Sequence, residues 1–354
     1  MTAMPKLVLS TPADILAAVP YLIGFHPADS LVVTGFDGKA LRLSTRWDLP
    51  PRPGDLDRII PLLRREQVTV ALLVGYGPGH LVTPAVDQVM RLLAGAGIGL
   101  AEALRADEGR YWSYACVDTA CCPAEGTPYD PAFSRVAAEA VMHGLVALPD
   151  RGSLRRSLEP SGGPAMREVA GRVATELRAR LAGTGVPTDG FAARFVADGL
   201  ARVRAAIERY TSGGRLDDDE AARLGFDLTV IRIRDEAWAL LDDRDSHIAL
   251  WRDLTRRLEP RYVAPSASLL AAAAWREGDC ALASMAVDRA LAADPGYSMA
   301  ILLRQALAHL LPPAALRDRM PTPEEIDIEM GPPNSRWLMP LRALLGEEPT
   351  ALAG

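Results

Sequence analysis

Three of the four cysteines in the chain fall within seven residues, in the run Tyr111-Trp112-Ser113-Tyr114-Ala115-Cys116-Val117-Asp118-Thr119-Ala120-Cys121-Cys122-Pro123-Ala124-Glu125. Thiols at this density could hold a soft metal, close a disulfide, attack an electrophile or pack a tight loop. A structural zinc site calls for Cys pairs two to four residues apart, with a second Cys or His pair elsewhere. The spacing here is Cys-x4-Cys-Cys, with only Cys280 and five scattered His to complete a set, so no metal is expected. A disulfide from Cys116 to Cys121 or Cys122 can close across the turn, although a reducing compartment opposes a permanent one. Nucleophilic attack needs a nearby base to lower the thiol pKa, and the spacing identifies none. The preferred reading is buried thiols packing a Pro/Gly loop beyond a sheet-edge strand. Trp112, Asp118 and Glu125 complete the polar inventory of that loop.

A second group, Gly24-Phe25-His26-Pro27-Ala28-Asp29-Ser30, precedes the first predicted strand. His, Asp and Ser so close together resemble the inventory of a hydrolase. Triads are assembled in space, however, and neighbours on one short loop seldom face each other. The structural reading is favoured: Pro27 stiffens the turn, Asp29 or Ser30 bonds the loop backbone, and His26 bridges to a carbonyl. Arg46 and Asp48 share one face of the next strand by its two-residue period, as an ion pair or as a ligand clamp. If this group meets the cysteine loop, His26, Asp29, Ser30, Arg46, Asp48, Trp112, Cys116, Asp118, Cys121, Cys122 and Glu125 line one pocket. Nucleotide cofactors are not indicated. Gly75-Tyr76-Gly77-Pro78-Gly79 lacks the phosphate-binding Lys, and Pro78 removes a backbone donor. Gly95-Ala96-Gly97-Ile98-Gly99 precedes a strand, the wrong order for an anion site at a helix start.

The elements that must position these groups change grammar along the chain. Ser30–Phe36 and Leu41–Leu49 flank Asp37-Gly38 and read as a hairpin. Apolar residues at helical spacing between Pro53 and Gln67 predict a helix, Val68–Tyr76 a strand covered on both sides, and Leu81–Ala94 another helix. Ile98–Ala106 and Arg110–Val117 form a second hairpin. The result is a ββαβαββ unit, a mixed-sheet α/β sandwich over residues 1–130. From Pro131 to residue 311 the pattern is all helix, with candidates at 131–147, 164–182, 189–211, 217–224, 229–242, 245–258, 265–277, 280–293 and 297–310. Gly183–Pro187 reads as a loop between two of them. Gly278-Asp279, Ala283, Val287, Ala290-Leu291 and Asp294-Pro295 have the spacing of a tetratricopeptide unit, which predicts one helical hairpin. Residues 312–354 are Pro-rich and read as an extended tail, pinned where Trp337, Leu338, Met339 and Leu341 meet an apolar groove. The fold class expected is therefore α+β.

Composition narrows the function classes. The chain has 354 residues, 49% hydrophobic and 24% charged, enough apolar surface for two cores. Ile15–Phe25 is too short for a membrane span and contains Pro20. The opening residues lack a secretory pattern. A net charge of −6 makes a nucleic-acid partner unexpected. Charge is nonetheless uneven: residues 1–150 carry −4, 151–215 carry +6 and 216–354 carry −8. Complementarity within the fold accounts for that pattern.

Three stretches in order carry a resemblance: PADILAAVPYLIGFHPADSLVV, YWSYACVDTACCPAEGTPYDP and AAAAWREGDCALASMAVDRALAADPGYSMAILL. They are similar to an actinobacterial family, domain of unknown function 4192 (DUF4192), over about residues 7–313. The dominance of Arg over Lys agrees with a high-GC source. The resemblance implies a cytoplasmic bacterial protein and brings no activity, cofactor or catalytic residue with it. Two functions stay in view. The preferred one is a non-catalytic binding or regulatory module that docks a protein partner through its helical C-terminal part. The other is a small-molecule enzyme or ligand sensor with its pocket between the His26–Ser30 and Cys116–Glu125 loops.

Overall fold

In the computed structural model, which describes residues 9–118, 120–131, 134–183, 188–317 and 319–346, a mixed sheet comes first and helices follow. The chain divides into two units, Met1–Leu154 and Arg155–Gly354. The first contains α1 (Pro12–Ile23), β1 (Ser30–Asp37), β2 (Ala40–Asp48), α2 (Ile59–Arg65), β3 (Val70–Tyr76), α3 (Gly79–Ala96), β4 (Gly99–Asp107), β5 (Arg110–Ser113), β6 (Thr127–Pro128) and α4 (Arg135–Met142). Strand order is β2-β1-β3-β4-β5-β6. Only β3 and β4 run parallel, because α3 carries the chain back between them. Both expected hairpins form, with Asp37 opposite Ala40 and Asp107 opposite Arg110.

The two-residue strand period sends apolar side chains to both faces of the sheet. Leu31, Val33, Ala71 and Leu73 pack on Ile59 and Leu63 of α2 and on Val82, Val86 and Val89 of α3. Val32, Leu72, Val74 and Leu104 pack on Leu16 and Val19 of α1. Burial on both sides explains why β3 is apolar without alternation. Gly75 lets α3 approach: a Cβ there would lie 2.1 Å from Val82 Cγ1.

Three local expectations are corrected. Helix α1 was not anticipated, because its apolar residues run almost without interruption and Pro20 lies inside it. Its ends are nonetheless well marked, by a Thr11–Asp14 capping box and by Gly24 in the left-handed region. Strand β5 stops at Ser113 rather than reaching Val117, and β6 was missed because two residues carry no periodicity. The first unit also runs past residue 130, since Val136 of α4 packs with Ala17 and Ala18 of α1.

Helix α5 (Arg151–Arg156) spans the boundary between the units. The second unit holds α6 (Gly163–Ala182), α7 (Asp189–Thr211), α8 (Asp218–Asp227), α9 (Ile231–Ala239), α10 (Asp245–Arg257), α11 (Pro260–Arg276), α12 (Cys280–Ala293), α13 (Ser298–Ala308), α14 (Pro313–Arg317), α15 (Pro323–Met330) and α16 (Met339–Leu344). Every residue of α11 from Tyr262 to Trp275 is buried, so its Ala-rich sequence is that of a central helix touched on all sides. The uneven charge resolves into ion pairs: Arg202–Asp227, Arg204–Glu236, Arg209–Glu220 and Arg215–Asp253 join the basic stretch to the acidic one. Of the expected 183–187 loop, residues 184–187 lie outside the described residues.

The segment after residue 312 is not extended. Pro323 at a helix start and the Thr322–Glu325 capping box build α15. Leu316, Ile326, Leu338 and Leu341 are buried, while Trp337 is half-buried and Met339 exposed. Apolar anchors spaced along the segment hold it down despite its prolines. Residues 318 and 347–354 lie outside the described residues. Among the described residues no helix is long and apolar enough to cross a membrane.

Candidate functional site

The two polar groups of the N-terminal unit occupy different parts of the sheet. Ser30 opens β1 opposite Asp48 of β2 and Tyr76 of β3. Arg46 Nη2 lies 2.7 Å from Asp48 Oδ1, and Arg151 Nη1 lies 3.3 Å from Asp48 Oδ2. Partial burial raises the Asp48 pKa, but the Arg46 hydrogen bond and both guanidinium charges outweigh it and hold the carboxyl below its ordinary value. Arg46 also sits over the Phe25 ring, 5.7 Å from its centroid. Arg46 and Asp48 thus form an ion pair on one face of the strand.

His26 is exposed, and its backbone N–H donates to Leu148 O at 2.9 Å. Asp29 adopts φ +42 and its carbonyl accepts from Leu49 N at 2.8 Å. Asp tolerates this left-handed conformation better than most residues. Among the described residues no hydrogen bond joins His26 to Asp29 or Ser30, so no triad forms. The Ser30 hydroxyl and the Tyr76 hydroxyl are buried and lack a hydrogen-bond partner.

The cysteine loop leaves the sheet at β5, with β3 and β4 between it and the His26 group. No hydrogen bond or ion pair among the described residues links the two groups. The loop is pinned along its length. Ser113 Oγ donates to Glu102 Oε1 at 2.8 Å and accepts from Cys116 N at 3.0 Å. Asp118 O accepts from Cys121 N at 3.2 Å and from Cys122 N at 2.7 Å. Its carboxylate accepts from Ala120 N at 2.9 Å. On the return leg Trp112 Nε1 donates to Ala124 O, and Arg110 donates to the carbonyls of Glu125 and Gly126. Gly126 is obligatory, because it has φ +81 and a Cβ would meet the Trp112 ring at 2.5 Å.

The thiols themselves depart from the packing expectation. Cys121 is exposed, Cys116 and Cys122 are half-buried, and none forms a disulfide. The three sulfurs lie within 4.8 Å of one another. Spacing in the chain hid this convergence, which is produced by the turn at Asp118.

Sequence reasoning also missed a groove in the helical unit. It has a volume of about 440 Å³, between α9, α11, α13 and the segment from Leu311 to Met330. Met299, Leu302, Leu303 and Ile326 supply apolar walls, and Trp238 and Trp275 present their indoles. The N–H groups of both indoles are buried without a hydrogen-bond partner, and Trp275 is only 3% exposed. Arg234 and Asp235 stand at the same groove, where Arg234 Nη1 donates to Tyr297 OH at 3.1 Å. The available signal was the apolar set Met299, Leu302, Leu303 and Ala306 on α13. Leu302 within that set is 65% exposed.

No curated protein and no solved structure matches this chain. A family model does match, over residues 12–314. This range takes in the sheet, both polar loops and the helices through α13, and it stops inside α14. The chain belongs to the family described as domain of unknown function (DUF4192).

Proposed function

We propose that this protein is a non-catalytic binding module of the cytoplasm, in which the helical unit captures an apolar segment of a protein partner. One observation carries the reading: an open groove of ligand-pocket size is lined by Trp238, Trp275, Met299, Leu303 and Ile326, with Leu302 exposed at its rim. The groove runs between helices, a setting in which the apolar side chains of a partner segment are taken up. The apolar walls suit its side chains. The α11–α12 hairpin, with the tetratricopeptide-like spacing Gly278-Asp279…Ala283…Ala290-Leu291…Asp294-Pro295, supplies the rigid platform. Neither nucleic acid nor membrane is part of this reading.

The test is a photo-crosslinking amino acid placed at Leu302, on the exposed rim of the groove, in the full-length chain in its native cell. The expected result is a discrete partner peptide that is absent when the same probe stands at exposed Val141 of the other unit. Equal, diffuse labelling from both positions overturns the reading. A small-molecule role would rest on the buried Ser30 and Tyr76 hydroxyls and the Arg46–Asp48 pair beside them.

A further inference from the structure

The three converging thiols of the N-terminal unit lie outside that proposed role. We propose that Cys116, Cys121 and Cys122 form a zinc site with three protein ligands and a fourth position open to water or to a ligand from another molecule. Zinc–sulfur bonds of about 2.3 Å in a tetrahedral set place the sulfurs about 3.8 Å apart. The observed sulfurs, within 4.8 Å, need to contract by no more than about 1 Å to meet that distance. The loop is already set for it. Ser113 fixes the backbone of Cys116, and the Asp118 carbonyl fixes those of Cys121 and Cys122. Trp112 and Arg110 hold the return leg to the sheet edge. Such outer supports are what orient ligands in metal sites.

Charge points the same way. Thiolates this close repel each other, and a dication offsets the repulsion. Binding is then Zn²⁺ replacing three S–H protons, which leave to solvent. The complex carries one net negative charge and nothing is oxidised. A disulfide would instead consume two thiols, need an oxidant and leave the third sulfur outside. The exposure of Cys121 keeps the fourth position accessible.

The test uses the full-length protein, reduced and stripped with a chelator, then titrated with zinc alone against a chromophoric chelator. The expected result is one zinc per chain. Cobalt in its place should give the near-ultraviolet thiolate-to-metal absorption of a sulfur-rich tetrahedral site. Cys121→Ser and Cys122→Ser should each weaken zinc by about 100-fold or more, since even outer-shell losses cost about 10–100-fold. Cys280→Ser, in the other unit, should leave affinity unchanged, and circular dichroism should show all variants folded. Failure to compete with the chelator overturns the proposal. So does zinc retained equally by Cys121→Ser and Cys122→Ser, or a count of two rather than four free thiols in the denatured protein as isolated, before any reductant is added.

Discussion

The Arg105 guanidinium lies over the Trp112 indole, 3.5 Å from the ring centroid, with the two residues directly opposite each other on β4 and β5. The same indole holds Ala124 O at 2.9 Å, so one ring ties the return leg of the cysteine loop to the sheet. Trp112→Ala should therefore loosen residues 114–126 while leaving the core packing of α1, α2 and α3 intact. A cost of about 2 kcal/mol is expected, below the about 3–5 of a fully buried aromatic because Trp112 is only half-buried. Hydrogen exchange read peptide by peptide should show protection lost in this loop and kept in β3. Uniform loss across the unit would contradict the local role.

Gly75 sets how closely α3 can sit on β3. Gly75→Ala places a methyl 2.1 Å from Val82 Cγ1, and should cost about 1–3 kcal/mol through displacement of the helix. Val82→Ala in the same chain should recover part of that loss, since it removes the clashing methyl. Thermal denaturation of the two single variants and the double variant measures the coupling. Strict additivity would refute this account of the glycine.

Asp227 is 2% exposed and depends on Arg202, whose Nε lies 2.7 Å from it. Burial raises its pKa, and the Arg202 hydrogen bond and charge counter part of that rise. Arg202→Met should cost about 2–3 kcal/mol. That is less than the about 3–5 expected for breaking a wholly buried pair, because Arg202 is itself 36% exposed. With its folded pKa raised further, Asp227 makes the variant relatively more stable as pH falls toward the ordinary carboxylate range. Urea denaturation at pH 7 and pH 4.5 should show the gap to wild type narrowing at the lower pH.

His247 on α10 is 1% exposed, with Nε2 3.1 Å from Asp242 Oδ1. Burial depresses its pKa, Asp242 opposes that, and Arg244 and Arg276 add to it. The unfolded chain therefore binds a proton before the folded one does. The neutral ring's contribution is complete above about pH 6.5 and is lost as pH falls below it. His247→Leu should flatten the acid side of the stability profile between about pH 6.5 and 5. An unchanged slope would show that other groups carry it.

Trp275→Phe keeps a ring in the groove and removes the unpartnered N–H. The variant deletes a desolvated donor but also empties part of a packed site, so stability should change by no more than about 2 kcal/mol. It should also lose the partner captured by the Leu302 probe. Capture by the Leu302 probe that is undiminished in this variant would contradict a role for the Trp275 ring in the groove.

Much of the scaffold is readable locally. Helices 189–211 and 280–293 and both hairpin turns can be located from apolar period and Gly positions, because these patterns reflect short-range backbone geometry. Helix α1 escaped because burial on nearly all sides erases the period, as it also does in α11. The helices beyond residue 312 escaped because proline content argued against order. Proline at a helix start favours a helix instead.

The residue chemistry of this protein, its thiol-rich loop and its balanced basic and acidic stretches, is settled by the sequence alone. Which groups meet is decided by tertiary structure. Sheet order puts β3 and β4 between the His26 group and the cysteines, and no hydrogen bond or ion pair among the described residues joins them. The Asp118 turn gathers three sulfurs that spacing had kept apart, and the packing of distant helices brings Trp238 and Trp275 to the lining of one groove. The physical reason is the same in each case. Periodicity and caps depend on neighbours a few residues away, whereas convergence depends on how strands pair and helices pack across long separations in the chain.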